Sequence, residues 1–271
     1  MSNEEKEKSM LPFAEFPKRE LANIKYLVSD IDDTLTLDSV LPAEVYTSLE
    51  TMREQGIIVI LITGRPAGWC DMIARFWPVD AVIGENGSFY FKPDNGRIKR
   101  VWIDDAATRK ANLLRLQAMA DKIVAKFPGT ALAEDNPFRA TDVAVDFAED
   151  VKPLSLETAE QIREQFEQLG ATAKVSSIHV NAWIGSYNKL SMFEKLLASE
   201  YKLCIDDILN KTIYTGDSPN DAPMFRRFHL SIGVKSVSNY QMHKADLPGF
   251  VTIGDGATGF MQVAKQILQE R

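Results

Sequence analysis

Ile24-Lys25-Tyr26-Leu27-Val28-Ser29 is an apolar run that leads directly into the acidic stretch Asp30-Ile31-Asp32-Asp33-Thr34. The run predicts a buried β-strand, which puts Asp30 and Asp32 where the strand ends. Charged groups held away from water are costly unless they are paired, so acids at such a position usually hold a metal or do chemistry. We therefore expect a functional site at the carboxyl end of this strand.

A second acidic cluster follows another short apolar strand. The strand is Thr212-Ile213-Tyr214-Thr215, and the cluster is Gly216-Asp217-Ser218-Pro219-Asn220-Asp221. Ligands of open α/β sheets bind at the carboxyl ends of the strands, and hard divalent cations bind carboxylate oxygens. Together the two clusters predict a cation site at the carboxyl edge of such a sheet.

The composition is that of an ordinary globular protein, with 271 residues, 45% hydrophobic and 25% charged. The formal net charge of −7 argues against nucleic acid and anionic membranes as main partners. No apolar run approaches the roughly 18 residues of a membrane span. We expect a small-molecule partner; the oligomeric state is not predicted.

The cysteines and the N-terminal residues allow a prediction of the cellular compartment. Cys70 and Cys204 are the two cysteines, and their spacing suits neither a disulfide framework nor a zinc site. This usage fits a reducing cytosol, so we predict a cytoplasmic protein. Residues 1–20 are charged, contain Pro12 and Pro17, and lack an apolar segment. We therefore predict no secretory signal there, and a loosely ordered tail.

Apolar runs alternate with amphipathic stretches along most of the chain, which predicts an α/β fold with a doubly wound, mostly parallel sheet. The predicted strands include residues 24–29, 57–62, 80–83 and 212–215. The predicted helices include residues 42–55, 65–77, 189–201 and 257–269.

The pattern changes in the middle of the chain. Asp94-Asn95-Gly96 separates two β-like runs and is a strong hairpin signal. Two amphipathic helices and two alternating strands follow. We therefore predict an inserted α+β domain over residues 88–184, a core made of residues 21–87 and 185–271, and a tail over residues 1–20.

Four sequence elements fall at plausible positions on one sheet edge: Asp30/Asp32, Thr63-Gly64-Arg65, Lys189 at a helix start, and Asp217/Asp221. In this order they resemble the motifs of the haloacid dehalogenase-like hydrolases, in the Cof-type IIB group. The resemblance covers nearly all of the chain after the tail. It implies a Rossmann-like core with an inserted cap domain.

The resemblance also implies residue roles. Asp30 matches the nucleophile that forms an aspartyl-phosphate, and Asp32 matches the general acid/base. The implied phosphate-binding residues are Thr63, Gly64, Lys189 and Asn220, and the implied Mg²⁺ site comprises Asp30, Asp32, Asp217 and Asp221. The family pattern often has Gly after the second acid, whereas this chain has Asp33.

The predicted function is a Mg²⁺-dependent phosphatase acting on a small phosphorylated metabolite, with a sugar phosphate as the expected substrate. One alternative is a sugar phosphomutase resembling phosphomannomutase. A second is a non-catalytic metabolite-binding or regulatory protein that has kept the fold.

The inserted domain is expected to set specificity. Strand alternation places Asp142, Asp146, His179, Asn181 and Trp183 on the sheet face opposite the apolar side chains. We predict that His179, Asn181 and Trp183, with Arg139 from a nearby loop, contact the substrate. The alternative is a solvated sheet face.

Two further segments are expected to be unremarkable in function. Gly84-Glu85-Asn86-Gly87 is expected to be the turn after the third core strand, where Asn86 could also order a hinge. Asp135 is expected to be solvated.

Overall fold

A computed structural model describes residues 10–270 of the chain. Its β-strands, numbered along the chain, are β1 (Leu11–Pro12), β2 (Tyr26–Ser29), β3 (Ile58–Ile62), β4 (Ala81–Gly84), β5 (Phe89–Asp94), β6 (Arg97–Trp102), β7 (Ala131–Leu132), β8 (Asp142–Asp146), β9 (Thr172–Val175), β10 (His179–Trp183), β11 (Thr212–Gly216), β12 (Ser231–Gly233) and β13 (Phe250–Val251). Its α-helices are α1 (Lys18–Leu21), α2 (Ala43–Glu54), α3 (Ala67–Phe76), α4 (Ala106–Lys126), α5 (Leu156–Gln168), α6 (Lys189–Leu196), α7 (Ala222–Arg227) and α8 (Gly256–Gln269).

The chain divides into two compact units. The first comprises Met1–Val59 and Leu203–Arg271, and the second comprises Ile60–Lys202.

In the first unit, five strands pair in the order β1-β13-β12-β11-β2, and every pairing is parallel. All four residues of β2 are buried, as expected for a strand that is apolar on both faces. Helix α2 packs on α8, where Ser48 Oγ donates to Met261 Sδ at 3.6 Å. This arrangement is the parallel α/β sheet that the sequence predicts.

The predicted tail is more ordered than expected. Its first nine residues lie outside the described part of the chain. Residues Leu11–Pro12 form β1, which pairs in parallel with β13. Phe13 and Phe16 are buried, and the Phe16 ring lies 4.8 Å from the Phe250 ring, centroid to centroid. The prediction of a loose lead-in was therefore wrong for this segment, because two aromatic side chains anchor it.

In the second unit, β3 and β4 are parallel, and β5 and β6 extend that sheet by antiparallel pairing. The β5–β6 hairpin turns through Asn95 and Gly96, whose φ angles are 48° and 76°. Positive φ at both positions is what a tight hairpin with the right twist requires. The predicted hairpin is confirmed, but its first strand pairs with β4.

A separate antiparallel sheet in the same unit has the order β7-β8-β10-β9. Helices α4 and α5 cover one face of it. The predicted alternation holds, because one buried cluster joins the apolar residues of β8 and β10 to both helices; its members include Val143, Val145, Val180, Ala182, Leu116, Ile123, Ile162 and Phe166.

The sheet memberships refine the predicted inserted domain. The four-stranded sheet and its two helices occupy residues 106–183, whereas residues 89–102 belong to the sheet that contains β4. The predicted start at residue 88 therefore includes a hairpin that this smaller sheet does not use. Specificity control by the domain stays a prediction.

None of the helices in residues 10–270 is both long enough and apolar enough to cross a membrane.

Candidate active site

Two neighbouring strands of the first unit end in acids. β2 and β11 are paired so that Ser29 lies opposite Thr215. The backbone N–H of Asp30 then donates to the Thr215 carbonyl at 2.9 Å. Because both strands run in the same direction, Asp30 and Asp217 follow adjacent carboxyl ends.

Asp30, Asp217 and Asp221 form one carboxylate cluster. Each offers an oxygen within 4.8 Å of the others. Their relative exposures are 4%, 1% and 0%. Three negative charges so close together and so deeply buried repel one another strongly unless a cation or bound protons neutralise them.

Asp221 also organises the loop that carries Asp217. Its Oδ2 accepts from the backbone N–H groups of Asp217 and Ser218, at 3.0 and 3.2 Å. A Cβ at Gly216 would lie 2.4 Å from that same oxygen. Glycine is therefore required at position 216 because the Asp221 carboxylate folds back over it.

Two tyrosines lie close to the acids. Tyr214 donates its hydroxyl to Asp221, and burial followed by the charges of Asp221 and Asp30 raises the pKa of Tyr214 well above its usual value. Burial and then Asp217 and Asp33 raise the pKa of Tyr240. Both phenols therefore stay neutral, and the Tyr214 hydroxyl is a hydrogen-bond donor to the acid cluster.

The loop after β2 carries Asp32 and Asp33. Asp32 is partly buried, and it lies outside the three-carboxylate cluster found among residues 10–270. Asp33 has a φ of 53°, and its backbone N–H donates to Thr36 Oγ1 at 2.8 Å. A left-handed conformation explains why the family pattern often has Gly here, and aspartate tolerates it better than most residues.

Asn220 lies within the loop that Asp221 organises. It is buried, and its Oδ1 accepts from Ser218 Oγ at 2.9 Å.

In the second unit, Thr63-Gly64-Arg65 leaves the end of β3 as a tightly held turn. Thr63 is buried and its backbone N–H donates to Ile83 O at 2.9 Å. The Thr63 hydroxyl accepts from the backbone N–H of Arg65 at 2.9 Å. The turn therefore fixes the hydroxyl that the resemblance assigns to phosphate binding.

Gly84-Glu85-Asn86-Gly87 does more than end β4. The Glu85 carboxylate accepts from the backbone N–H groups of Ala67, Ala140, Thr141 and Asp142, and from the Thr141 hydroxyl. The Asn86 N–H donates to the Thr63 carbonyl at 3.1 Å. A Cβ at Gly87, where φ is 110°, would lie 2.1 Å from the Asn188 carbonyl oxygen. Consecutive residues of this turn thus touch three separate segments.

Lys189 is the first residue of α6 and is buried. Asn188 caps the helix by accepting from Leu190 N and Ser191 N, while Ser191 Oγ accepts from Asn188 N. A buried cation at the positive end of a helix is unfavourable by itself. This placement favours an anion near the Lys189 ammonium.

Arg139 and Asn181 belong to a buried polar network rather than to a solvated face. Arg139 forms a two-pronged ion pair with Asp135, at 2.9 Å through both Nε and Nη2. Its Nη1 donates to Asp142 Oδ1 at 2.9 Å and to the Gly64 carbonyl at 3.0 Å. Asn181 Nδ2 lies 3.3 Å from Asp142 Oδ2. The solvated-face alternative is wrong for these residues, as is the expected exposure of Asp135.

The charges in this network shift its acid–base behaviour. Burial, opposed by Arg139 and reinforced by Glu85, raises the pKa of Asp142. Burial lowers the pKa of Arg139, but the charges of Asp142 and Asp135 outweigh it and raise that pKa. The guanidinium therefore stays charged.

A second branch of the network runs from Arg65 to His179. Arg65 Nη2 donates to Glu149 Oε1 at 2.5 Å, and His179 Nε2 lies 2.9 Å from Glu149 Oε2. Burial raises the pKa of Glu149, but hydrogen bonds from His179 and Arg65 overcome it and lower that pKa to about 2. His179 is therefore placed against a carboxylate.

The other two polar-face residues also have partners within the second unit. Trp183 Nε1 donates to the Tyr187 carbonyl at 3.2 Å, and the two rings stack. The Asp146 carboxylate accepts from the backbone N–H groups of Ala148, Glu149 and Asp150, at 2.8 to 2.9 Å. Asp146 therefore stabilises the turn after β8.

Sequence reasoning missed Glu85, Asp135, Glu149 and Tyr240. The signal for Glu85 was its position directly after a buried strand, between two glycines, which is the reasoning that identified Asp30. Asp135 and Glu149 carry no comparable local signal, because their burial depends on arginines at positions 65 and 139.

Family models and solved structures both contain proteins that are similar to this chain. Residues 27–111 match the family model of the haloacid dehalogenase-like hydrolases. No curated protein sequence matches the chain.

Solved structures match over nearly the whole chain. A Thermoplasma acidophilum protein, 0175, is 20% identical with a TM-score of 0.66, covering 90% of this chain and 98% of its own. A protein from Plasmodium vivax described as a HAD/COF-like hydrolase is 15% identical with a TM-score of 0.65, covering 94% and 100%. The C-terminal domain of trehalose-6-phosphate phosphatase from C. albicans is 12% identical with a TM-score of 0.67, covering 97% and 98%. The solved structures confirm the predicted fold class.

Proposed function

We propose that the chain is a haloacid dehalogenase-like hydrolase that acts as a phosphatase of small phosphorylated metabolites, in line with the family match over residues 27–111. The observation that carries the proposal is the buried cluster of Asp30, Asp217 and Asp221 at adjacent strand ends. A carboxylate is a recognised covalent catalyst for phosphoryl transfer, and acids beside it suit a divalent cation.

The acid cluster fits a magnesium ion in its donor chemistry. Mg²⁺ prefers a few carboxylates completed by water and phosphate oxygens. Asp30, Asp217 and Asp221 would hold it, with Asp32 as the further ligand that the family resemblance implies. A bound Mg²⁺ would neutralise phosphate charge and draw the carboxylates together.

The proposed catalytic steps use the chain's own carboxylates. Asp30 attacks phosphorus, which forms an aspartyl-phosphate as the bond to the leaving oxygen breaks. Asp32 protonates the leaving alcohol and then takes a proton from the water that hydrolyses the intermediate. We propose that Thr63 and the Gly64 backbone donate to the phosphoryl oxygens, together with Asn220. Lys189 would neutralise their charge.

The proposed substrate class is a sugar phosphate or related polyol phosphate. The fold is shared with a domain of trehalose-6-phosphate phosphatase. The second unit also carries polar and aromatic side chains, including Asn181 and Trp183, of the kind that bind hydroxyl-rich ligands. We propose His179, Asn181 and Trp183 as specificity residues on this basis. The cytoplasmic location stays a prediction.

The direct test is a phosphate-release screen over phosphorylated metabolites with Mg²⁺ present. The Asp30→Asn variant is the control, because the amide is isosteric but a poor nucleophile. We expect hydrolysis by the parent protein and its loss in the variant, with unchanged circular dichroism. Hydrolysis by Asp30→Asn close to the parent rate would exclude the covalent mechanism.

Two alternatives remain, and different results would favour each. A phosphomutase would require a bisphosphate activator and would convert one sugar phosphate into another without releasing phosphate. A binding or regulatory protein would bind a phosphorylated sugar without turnover. The cluster Gly216-Asp217-Ser218-Pro219-Asn220-Asp221 resembles the hydrolases more than the mutases, and the presence of Asp30 and Asp217 argues against the non-catalytic protein.

A further inference from the structure

Arg139 contacts the main chain of the turn that follows β3. Its Nη1 donates to the Gly64 carbonyl at 3.0 Å. Asp135 and Asp142 hold the rest of the guanidinium, and the side chain is 1% exposed. The arginine is thus itself fixed by two carboxylates while it holds a backbone oxygen 75 residues away in the sequence.

The Gly64 carbonyl and the Arg65 N–H belong to the same planar peptide group. Arg139 holds its oxygen, and the Thr63 hydroxyl accepts from its N–H at 2.9 Å. The orientation of this peptide plane therefore sets the direction of the Thr63 hydroxyl. Since the hydroxyl oxygen is accepting from Arg65, its own hydrogen points away from that donor.

We propose that Arg139 is a positioning residue that orients the Thr63 hydroxyl through the Gly64–Arg65 peptide, instead of contacting the substrate. The proposal rests on the proposed function, because it assumes that Thr63 binds the phosphoryl group. It replaces the sequence-based prediction that Arg139 contacts the substrate. Because the phosphoryl group is common to all substrates, the effect of Arg139 must be the same for every ester.

The chemistry of arginine suits this task better than that of lysine. A guanidinium presents five N–H donors in a rigid planar fork, so it can bind Asp135 through two of them and still reach Asp142 and Gly64. A lysine ammonium keeps the charge but cannot span these three partners. Arg139→Lys therefore preserves the charge of the network while releasing the peptide.

The test measures kcat and KM of the parent and Arg139→Lys with two esters, p-nitrophenyl phosphate and the best metabolite of the phosphate-release screen. Competitive inhibition by inorganic phosphate is measured with both proteins. We expect kcat/KM to fall about tenfold or more for both esters by the same factor, and the phosphate inhibition constant to rise. Arg163→Lys is the matched control, because Arg163 pairs with Glu160 and Glu167 on α5. It should change none of these constants.

A double-mutant cycle between Arg139→Lys and Thr63→Val separates positioning from general destabilisation. If Arg139 acts through the Thr63 hydroxyl, the two substitutions must be non-additive on the phosphate inhibition constant, since the second removes what the first misaligns. Additive effects would overturn the proposal. A loss confined to the metabolite, with p-nitrophenyl phosphate unaffected, would also overturn it and restore the direct-contact prediction.

Folding is checked by circular dichroism and thermal unfolding before any rate is interpreted. Should Arg139→Lys fail to fold, Asp135→Asn takes its place, because it loosens the guanidinium while retaining the arginine. An equal loss with both esters supports the proposal, and equal rates to the parent refute it. A parent protein that hydrolyses no phosphate monoester refutes the proposed function, whereas an active parent with an unaffected Arg139→Lys variant refutes only this inference.

Discussion

Replacing Glu85 by glutamine should destabilise the protein more than any exposed glutamate substitution. Glu85 is fully buried, and its two oxygens divide five hydrogen-bond donors between them. Glutamine has the same shape but offers only one acceptor oxygen. Its amide nitrogen must therefore face donors wherever the second carboxylate oxygen lay.

The size of the effect follows from counting these donors. In the less damaging orientation, the amide nitrogen takes the place of Oε1 and faces the N–H groups of Ala67 and Ala140. A buried donor left without an acceptor costs about 1–3 kcal/mol, so two cost roughly 2–6 kcal/mol. Loss of the Glu85 charge relieves its repulsion with Asp142 and offsets part of this. We expect a net loss of about 3 kcal/mol, a large share of a typical ~5–15 kcal/mol unfolding free energy.

Urea unfolding followed by circular dichroism measures this free energy, with Glu164→Gln as the control. The Glu164 side chain is 58% exposed and pairs with Arg163 at 3.6 Å. A surface ion pair of this kind contributes little, so the control should lose only about 0–1 kcal/mol. A Glu85→Gln variant within about 1 kcal/mol of the parent would refute the reasoning from orphaned backbone donors.

Three further predictions concern the acid cluster and the ion pairs. Gly216→Ala should displace the Asp221 carboxylate, whose Oδ2 would lie 2.4 Å from the new Cβ, and should lower both thermal stability and phosphatase activity; unchanged unfolding temperature and rate would contradict this. The pKa of Glu149 is lowered from 4.5 to about 2, so its ionised form stabilises the fold above pH 4.5 and that stabilisation is lost as the pH falls toward 2. The unfolding free-energy difference between the parent and Glu149→Gln should therefore narrow over that range, and a difference independent of pH would refute the ion pairing. EDTA should abolish turnover and Mg²⁺ should restore it and raise the unfolding temperature, with Asp217→Ala needing more Mg²⁺; full activity in excess EDTA would exclude a metal site.

The sequence predicted what depends on short stretches of chain. β2 and β11 were identified from apolar runs, and the acids at their ends from position alone. The hairpin through Asn95-Gly96 followed from turn chemistry, because few residues accept positive φ at two consecutive positions. The alternation in β8 and β10 correctly separated their apolar and polar faces, because side chains alternate strictly along a strand.

The sequence could not predict what depends on distant partners. β1 is two residues long and exists because β13, far along the chain, offers it hydrogen-bond partners. Asp135 looked like a surface acid, and only the arginine that reaches it explains its burial. Arg139 was expected near the substrate from its loop position, whereas the structure shows its guanidinium on the Gly64 carbonyl. A charged side chain can be buried when an oppositely charged partner accompanies it, and the sequence does not show which distant residue that partner is.

The Gly84–Gly87 turn has a consequence for protein engineering. Its residues hold residues 140–142, the Thr63 carbonyl and the chain before Lys189 in register with one another. Consider a chimera in which residues 106–183, the four-stranded sheet and its helices, come from a relative. The grafted residues at positions 140–142 would then have to pair with the Gly84–Gly87 turn of the recipient protein. Such grafts should succeed only when the tetrapeptide is transplanted with them, so this turn, rather than the loops at residues 103–105 and 184–188, defines the smallest exchangeable module.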